Sequence, residues 1–282
     1  MGAMRCARYT ALMDASKVVF IGGGNMASAL IGGLRKAGRG AHSVIVVEPL
    51  AEPRARLQQA FGVAAVAAAD SSLAGATLVV WAVKPQRFTE AAAPCAPFIG
   101  GALHLSVMAG IPSAAIVRAA GSERVVRAMP NTPALIGRGI TALYAREAVS
   151  AGERAVIEQM LAPTGATLWV TREQDLDAVT AVSGSGPAYV YYVLEAMMRA
   201  AHEMGLSDAQ GRALALATFD GATALAQASP LSPQALRAQV TSQGGTTHAA
   251  ITSLEADGVA DAVVRALHAA RARAAELGRE FG

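Results

Sequence analysis

The sequence predicts an α/β domain with a doubly wound, mostly parallel sheet, followed by an all-α domain. Two observations support this. From residue 17 to residue 170, short β-branched runs alternate with helical stretches, and after Asp175 the strand signals stop. Runs that are apolar on both faces and alternate with helices are typical of a parallel sheet covered by helices. We place the domains at residues 17–172 and 173–282, and expect a disordered tail at 1–16.

Seven runs of the first domain carry the strand pattern of β-branched and apolar residues bounded by turn residues. They are Val18–Ile21, Val44–Val47, Leu78–Ala82, Leu103–Val107, Val125–Ala128, Ile140–Tyr144 and Thr167–Val170. Amphipathic helices such as Met26–Ala37 and Pro53–Ala60 lie between them. The second domain carries five helical segments, which begin near Pro187, Ser207, Ser232, Thr246 or Thr247, and Val259. Their broad apolar faces favour dimerisation through helices over packing within one chain alone.

Composition excludes several classes of protein. Hydrophobic residues make up 53% of the chain, but no uninterrupted apolar run has the length of a membrane span. The net charge of +3 comes from scattered arginines and only three lysines, Lys17, Lys36 and Lys84, which argues against a nucleic-acid surface. The two cysteines, Cys6 and Cys95, have no metal-site or disulfide spacing, so we expect no metal and a cytoplasmic location.

A glycine-rich turn follows the first strand and opens the first helix. Residues 22–27 read Gly-Gly-Gly-Asn-Met-Ala, the pattern G-x-G-x-x-A. Gly22 permits the tight turn, Gly24 lets a pyrophosphate approach the backbone, and the N–H groups of Asn25 and Met26 open the helix. In this context the turn predicts a dinucleotide site, and hence a Rossmann domain. A glycine-rich turn without a ligand is the alternative.

Other cofactor contacts are expected where further strands end. Glu48 follows the second strand and would accept hydrogen bonds from ribose hydroxyls and repel a 2′-phosphate, which favours NADH over NADPH. Arg54 and Arg56 offer the opposite possibility, contact with such a phosphate. At the ends of two later strands, Ala82, Val83, Lys84 and Pro85 would line the nucleotide, and Asn131 and Thr132 would bind the nicotinamide carboxamide.

Residues 241–248, Thr-Ser-Gln-Gly-Gly-Thr-Thr-His, suit a small carboxylate. Gly244 and Gly245 free the backbone so that several N–H groups approach one ligand, and Thr246 and Thr247 lead into a helix, whose first N–H groups attract anions. Simple helix capping by the two threonines is the alternative, and both roles can coexist.

Together these segments resemble the pyrroline-5-carboxylate reductase family over residues 17–278. The resemblance rests on five segments in order: Ile21–Ala27, Ala82–Pro85, Met129–Pro133, Ser183–Tyr189 and Ser242–Thr247. It implies a Rossmann domain, a helical domain that interlocks with that of a second copy, and assemblies up to decamers. It also implies reduction of 1-pyrroline-5-carboxylate to L-proline by NADPH or NADH, the last step of proline synthesis.

The resemblance assigns roles to the substrate segment. Thr247 would hydrogen-bond the ring nitrogen and relay a proton. The N–H groups around Gly244, Gly245, Thr246 and Thr247 would hold the carboxylate, and Ser242 would shape the loop. Ser183–Gly186 would line the nicotinamide side. The chain departs from the family at Gln243, usually proline, and at His248, usually aliphatic, which we interpret as a surface histidine rather than a proton source.

Two other functions remain open from the residues alone. A hydroxyacid or glycerol-3-phosphate dehydrogenase uses a lysine or histidine of its helical domain, and here only His202, His248 or His268 would serve, since no lysine follows Lys84. A non-enzymatic dinucleotide sensor would leave the Gly-Gly-Thr-Thr segment without a role.

Overall fold

The computed structural model describes residues 16–281, so the tail expected at residues 1–16 lies almost wholly outside it. The described chain forms two compact units. The first comprises residues 16–185 together with 270–281, and the second is Gly186–Ala269. The domain boundary expected after residue 172 stays a prediction. Within the described range, no helix is both long enough and apolar enough to cross a membrane.

The first unit is built on one eight-stranded sheet. Its strands are β1 (Val18–Ile21), β2 (Val44–Val47), β3 (Ala64–Val66), β4 (Leu78–Trp81), β5 (Leu103–Ser106), β6 (Val125–Met129), β7 (Gly139–Ala145) and β8 (Gly165–Trp169), in the spatial order β3-β2-β1-β4-β5-β6-β7-β8. All neighbours are parallel except β6 and β7. The strand order reverses beside β1, and ligands of open α/β sheets bind at the carboxyl ends of strands at such a switch point.

Helices cover both faces of this sheet and give it two cores. They are α1 (Asn25–Lys36), α2 (Ala51–Phe61), α3 (Phe88–Ala92), α4 (Ala96–Ile99), α5 (Ser113–Ala120), α6 (Ala151–Leu161) and α7 (Asp175–Val179). Leu30 and Ile157 belong to the core on one face, and Phe88 and Ile116 to the core on the other. Most positions of the central strands are buried, as the uninterrupted apolar runs predict.

The predicted fold class is confirmed. All seven predicted strands overlap observed ones, and the first two match to the residue. The prediction missed β3, because the alanines at Ala64 and Ala65 carry little strand propensity and the strand forms only by pairing with β2.

The second unit contains helices only. They are α8 (Gly186–Glu203), α9 (Asp208–Ala228), α10 (Pro233–Gln239), α11 (Thr246–Ala256) and the first part of α12 (Val259–Phe281). The Ser207 hydroxyl accepts from the Gln210 N–H and the Gln210 side chain accepts from the Ser207 N–H, a capping box that fixes the start of α9. From residue 270 onward, α12 belongs to the first unit.

Candidate active site

The glycine turn after β1 has the geometry that a dinucleotide needs. Gly22 has a φ of +100°, and a Cβ there would lie 2.6 Å from the Ala82 carbonyl oxygen, so only glycine fits. Gly24 is the N-cap of α1, no side chain caps this helix, and a Cβ on Gly24 would enter open space. The first N–H groups of α1, at Asn25 and Met26, therefore stand free of capping side chains, as an anion site at a helix start requires.

Glu48 lies directly against this turn. Its Oε2 accepts from the Gly23 N–H at 2.9 Å, and its Oε1 accepts from the Leu50 N–H at 3.0 Å. The residue is only 9% exposed. Arg54 donates to the main-chain carbonyls of Glu48 and Pro49, at 2.8 and 2.7 Å. The Glu48 carboxylate is thus fixed at the end of β2, and the Arg54 guanidinium is hydrogen-bonded to main-chain carbonyls.

The carboxyl ends of β4 and β6 lie on the same side of the sheet as the carboxyl end of β1, because β1, β4, β5 and β6 run parallel in one sheet. Ala82 donates to the Ile21 carbonyl at 2.8 Å, which places the segment Ala82–Pro85 beside the glycine turn. Lys84 is exposed there. Asn131 Oδ1 accepts from the Ile140 N–H at 3.0 Å, which leaves its side-chain NH₂ as a donor. Thr132 is exposed and begins a short 3₁₀ helix.

A π-helical turn, Thr180–Gly184, leads into the Ser183–Gly186 segment and shares its first two residues, and nothing in the sequence predicted this turn. The Ser185 N–H donates to the Thr180 carbonyl at 2.8 Å, and the Ser183 hydroxyl donates to the Val179 carbonyl at 3.1 Å. A Cβ on Gly184 would lie 2.5 Å from Met129 Cε, so this turn packs against the end of β6. Such turns recur at functional sites, and here one lies beside the strand end that precedes Asn131.

In the second unit, residues 241–248 form a turn into α11. Gly244 has a φ of +76°, and the Gly245 N–H donates to the Ser242 carbonyl at 3.0 Å. Gly245 is the N-cap, and no side chain caps the helix, so neither threonine takes the capping role that the sequence left open. Thr246 is exposed and Thr247 half-buried. The turn therefore presents free N–H groups and a hydroxyl at a helix start.

His248 is exposed in the chain, as interpreted from the sequence. Among residues 16–281, no group of three or more His, Cys, Asp or Glu side chains could hold a metal ion.

The sheet, its switch point and the open glycine turn define a dinucleotide-binding Rossmann protein, a class that includes the nicotinamide-dependent oxidoreductases. Comparison with known proteins supports this class. Residues 17–110 match the family model described as NADP oxidoreductase, coenzyme F420-dependent, and residues 173–277 match the model for pyrroline-5-carboxylate reductase dimerisation.

Similarity to individual proteins extends over nearly the whole chain. A pyrroline-5-carboxylate reductase of Pseudomonas aeruginosa is 43% identical over 272 residues, which are 96% of this chain and 100% of the relative. A solved pyrroline-5-carboxylate reductase of Coxiella burnetii is 33% identical with a TM-score of 0.86, covering 93% of this chain and 98% of that one. A Plasmodium falciparum pyrroline carboxylate reductase, solved with NADP bound, is 27% identical with a TM-score of 0.85, covering 94% and 99%. The chain belongs to the pyrroline-5-carboxylate reductase family, which confirms the resemblance inferred from the motifs.

Proposed function

We propose that the protein reduces 1-pyrroline-5-carboxylate to L-proline with a hydride from NADH or NADPH, the last step of proline biosynthesis. The observation that carries the proposal is the full-length likeness to reductases of that name. The open helix start behind Gly24 fits the pyrophosphate of the coenzyme. An assay of NADH and NADPH oxidation with 1-pyrroline-5-carboxylate tests it, and no turnover with either coenzyme would refute it.

The first unit would hold the coenzyme. Gly22, Gly24 and the N–H groups of Asn25 and Met26 would cradle the pyrophosphate. The segment Ala82–Pro85 would border the nucleotide, with the exposed Lys84 adding a positive charge. Asn131 and Thr132 would bind the nicotinamide carboxamide. Asn131 would do so through its side-chain NH₂, because its Oδ1 already accepts from the Ile140 N–H.

The second unit would hold the substrate. Its carboxylate would accept from the N–H groups around Gly244, Gly245, Thr246 and Thr247. Gly244 supplies a left-handed backbone conformation that other residues rarely adopt, and Ser242 would shape the turn. The coenzyme would supply a hydride for the imine carbon. Hydride at that carbon together with a proton on the ring nitrogen would convert the C=N double bond into a C–N single bond. Thr247 would orient that nitrogen through its hydroxyl and pass the proton on, because threonine is too weak an acid to be its source.

Replacement of this hydroxyl tests the assignment. We expect Thr247→Ala to lower kcat by roughly tenfold or more, since one hydrogen bond made in the transition state is worth on the order of 1–3 kcal/mol. The dissociation constant of the coenzyme should stay as in the wild type. Thr252→Ala, an exposed threonine of the same helix, is the matched control. Wild-type kinetics in Thr247→Ala would remove Thr247 from the mechanism.

We further propose that NADH is preferred over NADPH. Glu48 is fixed against the glycine turn by the Gly23 and Leu50 N–H groups, where its charge opposes a 2′-phosphate. Arg54 is held by main-chain carbonyls, so it is not directed at such a phosphate. We expect Glu48→Ser to shift the ratio of kcat/KM values toward NADPH by about tenfold, or about 1.4 kcal/mol.

Two controls accompany this measurement. Glu48→Gln keeps the length of the side chain and removes its charge, so it should shift the ratio in the same direction. Glu52→Gln removes an exposed acid from the first turn of α2 and should leave the ratio unchanged. An unaltered coenzyme ratio in both Glu48 variants would show that this carboxylate does not face the ribose.

The active assembly is proposed to be a homodimer formed through the helical unit, with dimers joined into a decamer as the resemblance implies. Large apolar side chains are exposed on the helices of this unit in the single chain, among them Tyr192 at 75% and Leu225 at 62%. Residues 173–277 match a dimerisation family. Sedimentation velocity measures the assembly directly and separates a dimer from a decamer. A monomer at micromolar concentration would contradict the proposal.

A further inference from the structure

A mostly buried arginine on β6 joins separate segments of the first unit. The Arg127 side chain is 11% exposed, and its Nη1 lies 3.0 Å from Glu173 Oε1. The same carboxylate accepts from the Ser113 N–H at 2.6 Å and from the Ser113 hydroxyl at 2.7 Å. Glu173 therefore links β6 to the first residue of α5 and to the segment that enters α7.

A second acid of the same segment is within electrostatic influence of this arginine. Asp177 lies four residues beyond Glu173, within α7. Burial raises the pKa of Asp177, and the negative charge of Glu173 raises it further. The positive charges of Arg127, Arg271 and Arg279 lower this pKa, and Arg127 has the largest effect of the three. Arg127 thus lies within electrostatic reach of two carboxylates about one helical turn apart.

Folding stability does not explain an arginine at this position. Arg127 Nε is buried without a hydrogen-bond partner among the described residues, and a buried donor left unpaired is unfavourable. An apolar side chain would fill a buried strand position at less expense. We infer that the Arg127 guanidinium instead fixes the position of the segment carrying Glu173 and Asp177 relative to β6, through its ion pair with Glu173.

The Ser183–Gly186 turn comes directly after that segment. The chain passes from α7 straight into the π-helical turn Thr180–Gly184. Met129 points to the same face of β6 as Arg127, because the two residues are two apart on one strand. Met129 contacts Gly184. Two neighbouring side chains of β6 therefore hold the start and the end of one continuous segment.

We propose that Arg127 is a positioning residue that sets the Ser183–Gly186 turn against the strand end carrying Asn131 and Thr132. The proposal rests on the function proposed above and extends it. Arg127 acts through the turn and does not touch the substrate. Its loss should misplace the nicotinamide side of the site while leaving the adenosine side, at Gly22–Gly24 and Glu48, as it is.

Single-turnover kinetics of Arg127→Met separate positioning from stability. With enzyme in excess over NADH and substrate saturating, loss of nicotinamide absorbance gives a rate constant for hydride transfer and an amplitude for the active fraction. We expect the rate constant to fall by tenfold or more at full amplitude, with affinity for ADP-ribose within twofold of wild type. Arg127→Lys should recover part of the rate, because it restores the charge without the forked geometry.

Arg124→Met is the matched control. Arg124 immediately precedes β6, at the amino end of the strand, whereas the proposed coenzyme site lies at its carboxyl end. Like Arg127, Arg124 pairs with one glutamate, with 2.7 Å between its Nε and Glu153 Oε1. Its rate constant should stay within twofold of wild type. A wild-type rate constant in Arg127→Met, with or without reduced amplitude, overturns the proposal, and so does an equal fall in Arg124→Met.

Two further variants keep the test decisive if Arg127→Met does not fold. Glu173→Gln and Asp177→Asn each remove one negative charge with little change in size, and the double variant should lower the hydride-transfer rate constant in the same way. A wild-type rate constant in that double variant would overturn the proposal. Absence of turnover in the wild-type protein would refute the proposed function instead, so the two failures are distinguishable.

Discussion

The buried histidine of β5 gives the protein a predictable dependence of stability on pH. His104 is fully buried, its ring stacks on Trp81, and its Nδ1 accepts from Trp81 Nε1 at 3.2 Å. Because an indole N–H only donates, the neutral ring carries its proton on Nε2. Burial, and after it the charge of Arg124, lowers the pKa of His104 from 6.5 to about 4, while the Ile99 carbonyl acts weakly in the opposite direction.

The sign of the effect follows from proton uptake. The unfolded chain protonates this ring near pH 6.5, whereas the folded protein keeps it neutral down to about pH 4. The unfolded state therefore binds more protons in this window, and the free energy of unfolding falls as the pH falls. Since one pKa unit corresponds to about 1.4 kcal/mol, the full loss is about 3 kcal/mol, of which about 2 kcal/mol lies between pH 7 and pH 5.

Urea unfolding at pH 7, 6 and 5, at one fixed protein concentration, measures this loss through tryptophan fluorescence and circular dichroism. His104→Gln cannot titrate yet keeps an acceptor for Trp81, so about 2 kcal/mol of the fall should disappear. His42→Gln, at an exposed histidine of the same unit, is the control and should keep it. Burial raises the pKa values of Glu153 and Glu173, but hydrogen bonds from Ser150 and Ser113 and the charges of Arg124 and Arg127 outweigh it. The pKa values of these two acids are therefore lowered, and their contribution is lost at more acidic pH than that of His104. An undiminished fall in His104→Gln would refute the reasoning.

Two further predictions concern a glycine and a helix cap. Gly24→Ala should cost less than about 1 kcal/mol of stability, the usual preference of an N-cap for glycine over alanine, because its φ of −71° suits alanine and its Cβ would enter open space. It should nevertheless raise the coenzyme dissociation constant about tenfold in a calorimetric titration, and unchanged affinity would contradict a pyrophosphate site there. Ser207→Ala should cost about 1 kcal/mol in urea unfolding by removing the cap of α9, whereas Ser207→Gly should cost only a few tenths; equal losses would point away from capping.

The sequence predicted those parts of the fold that depend on local pattern. β1 and β2 are continuous runs of β-branched and apolar residues, so both ends were found to the residue. Gly22 and Gly24 were recognisable because their spacing after a strand has one geometric reason. The start of α11 at Thr246, directly after the two glycines, was predictable for the same reason.

Other features depend on contacts between distant residues and left no local signal. Glu48 was expected beside a ribose, but nothing in the sequence showed its bond to the Gly23 N–H. Likewise Arg127 and Glu173 stand 46 positions apart, and their pairing appears only once the segment before α7 lies against β6. The π-helical turn before Ser185 was unpredictable because it differs from an α-helix by a single inserted residue.

The path of α12 has a consequence for the order in which the protein is made. Leu277 lies against Gly110, which follows β5, and Phe281 packs on the core beneath α3 and α5. Residues around Leu277 and Phe281 thus complete a unit whose sheet is finished by residue 169. During synthesis this unit is completed only after that later segment has been made. Removal of residues 277–281, or a fusion that disturbs Phe281, should therefore harm the nucleotide-binding half, although the sheet of that half is more than a hundred residues earlier in the sequence.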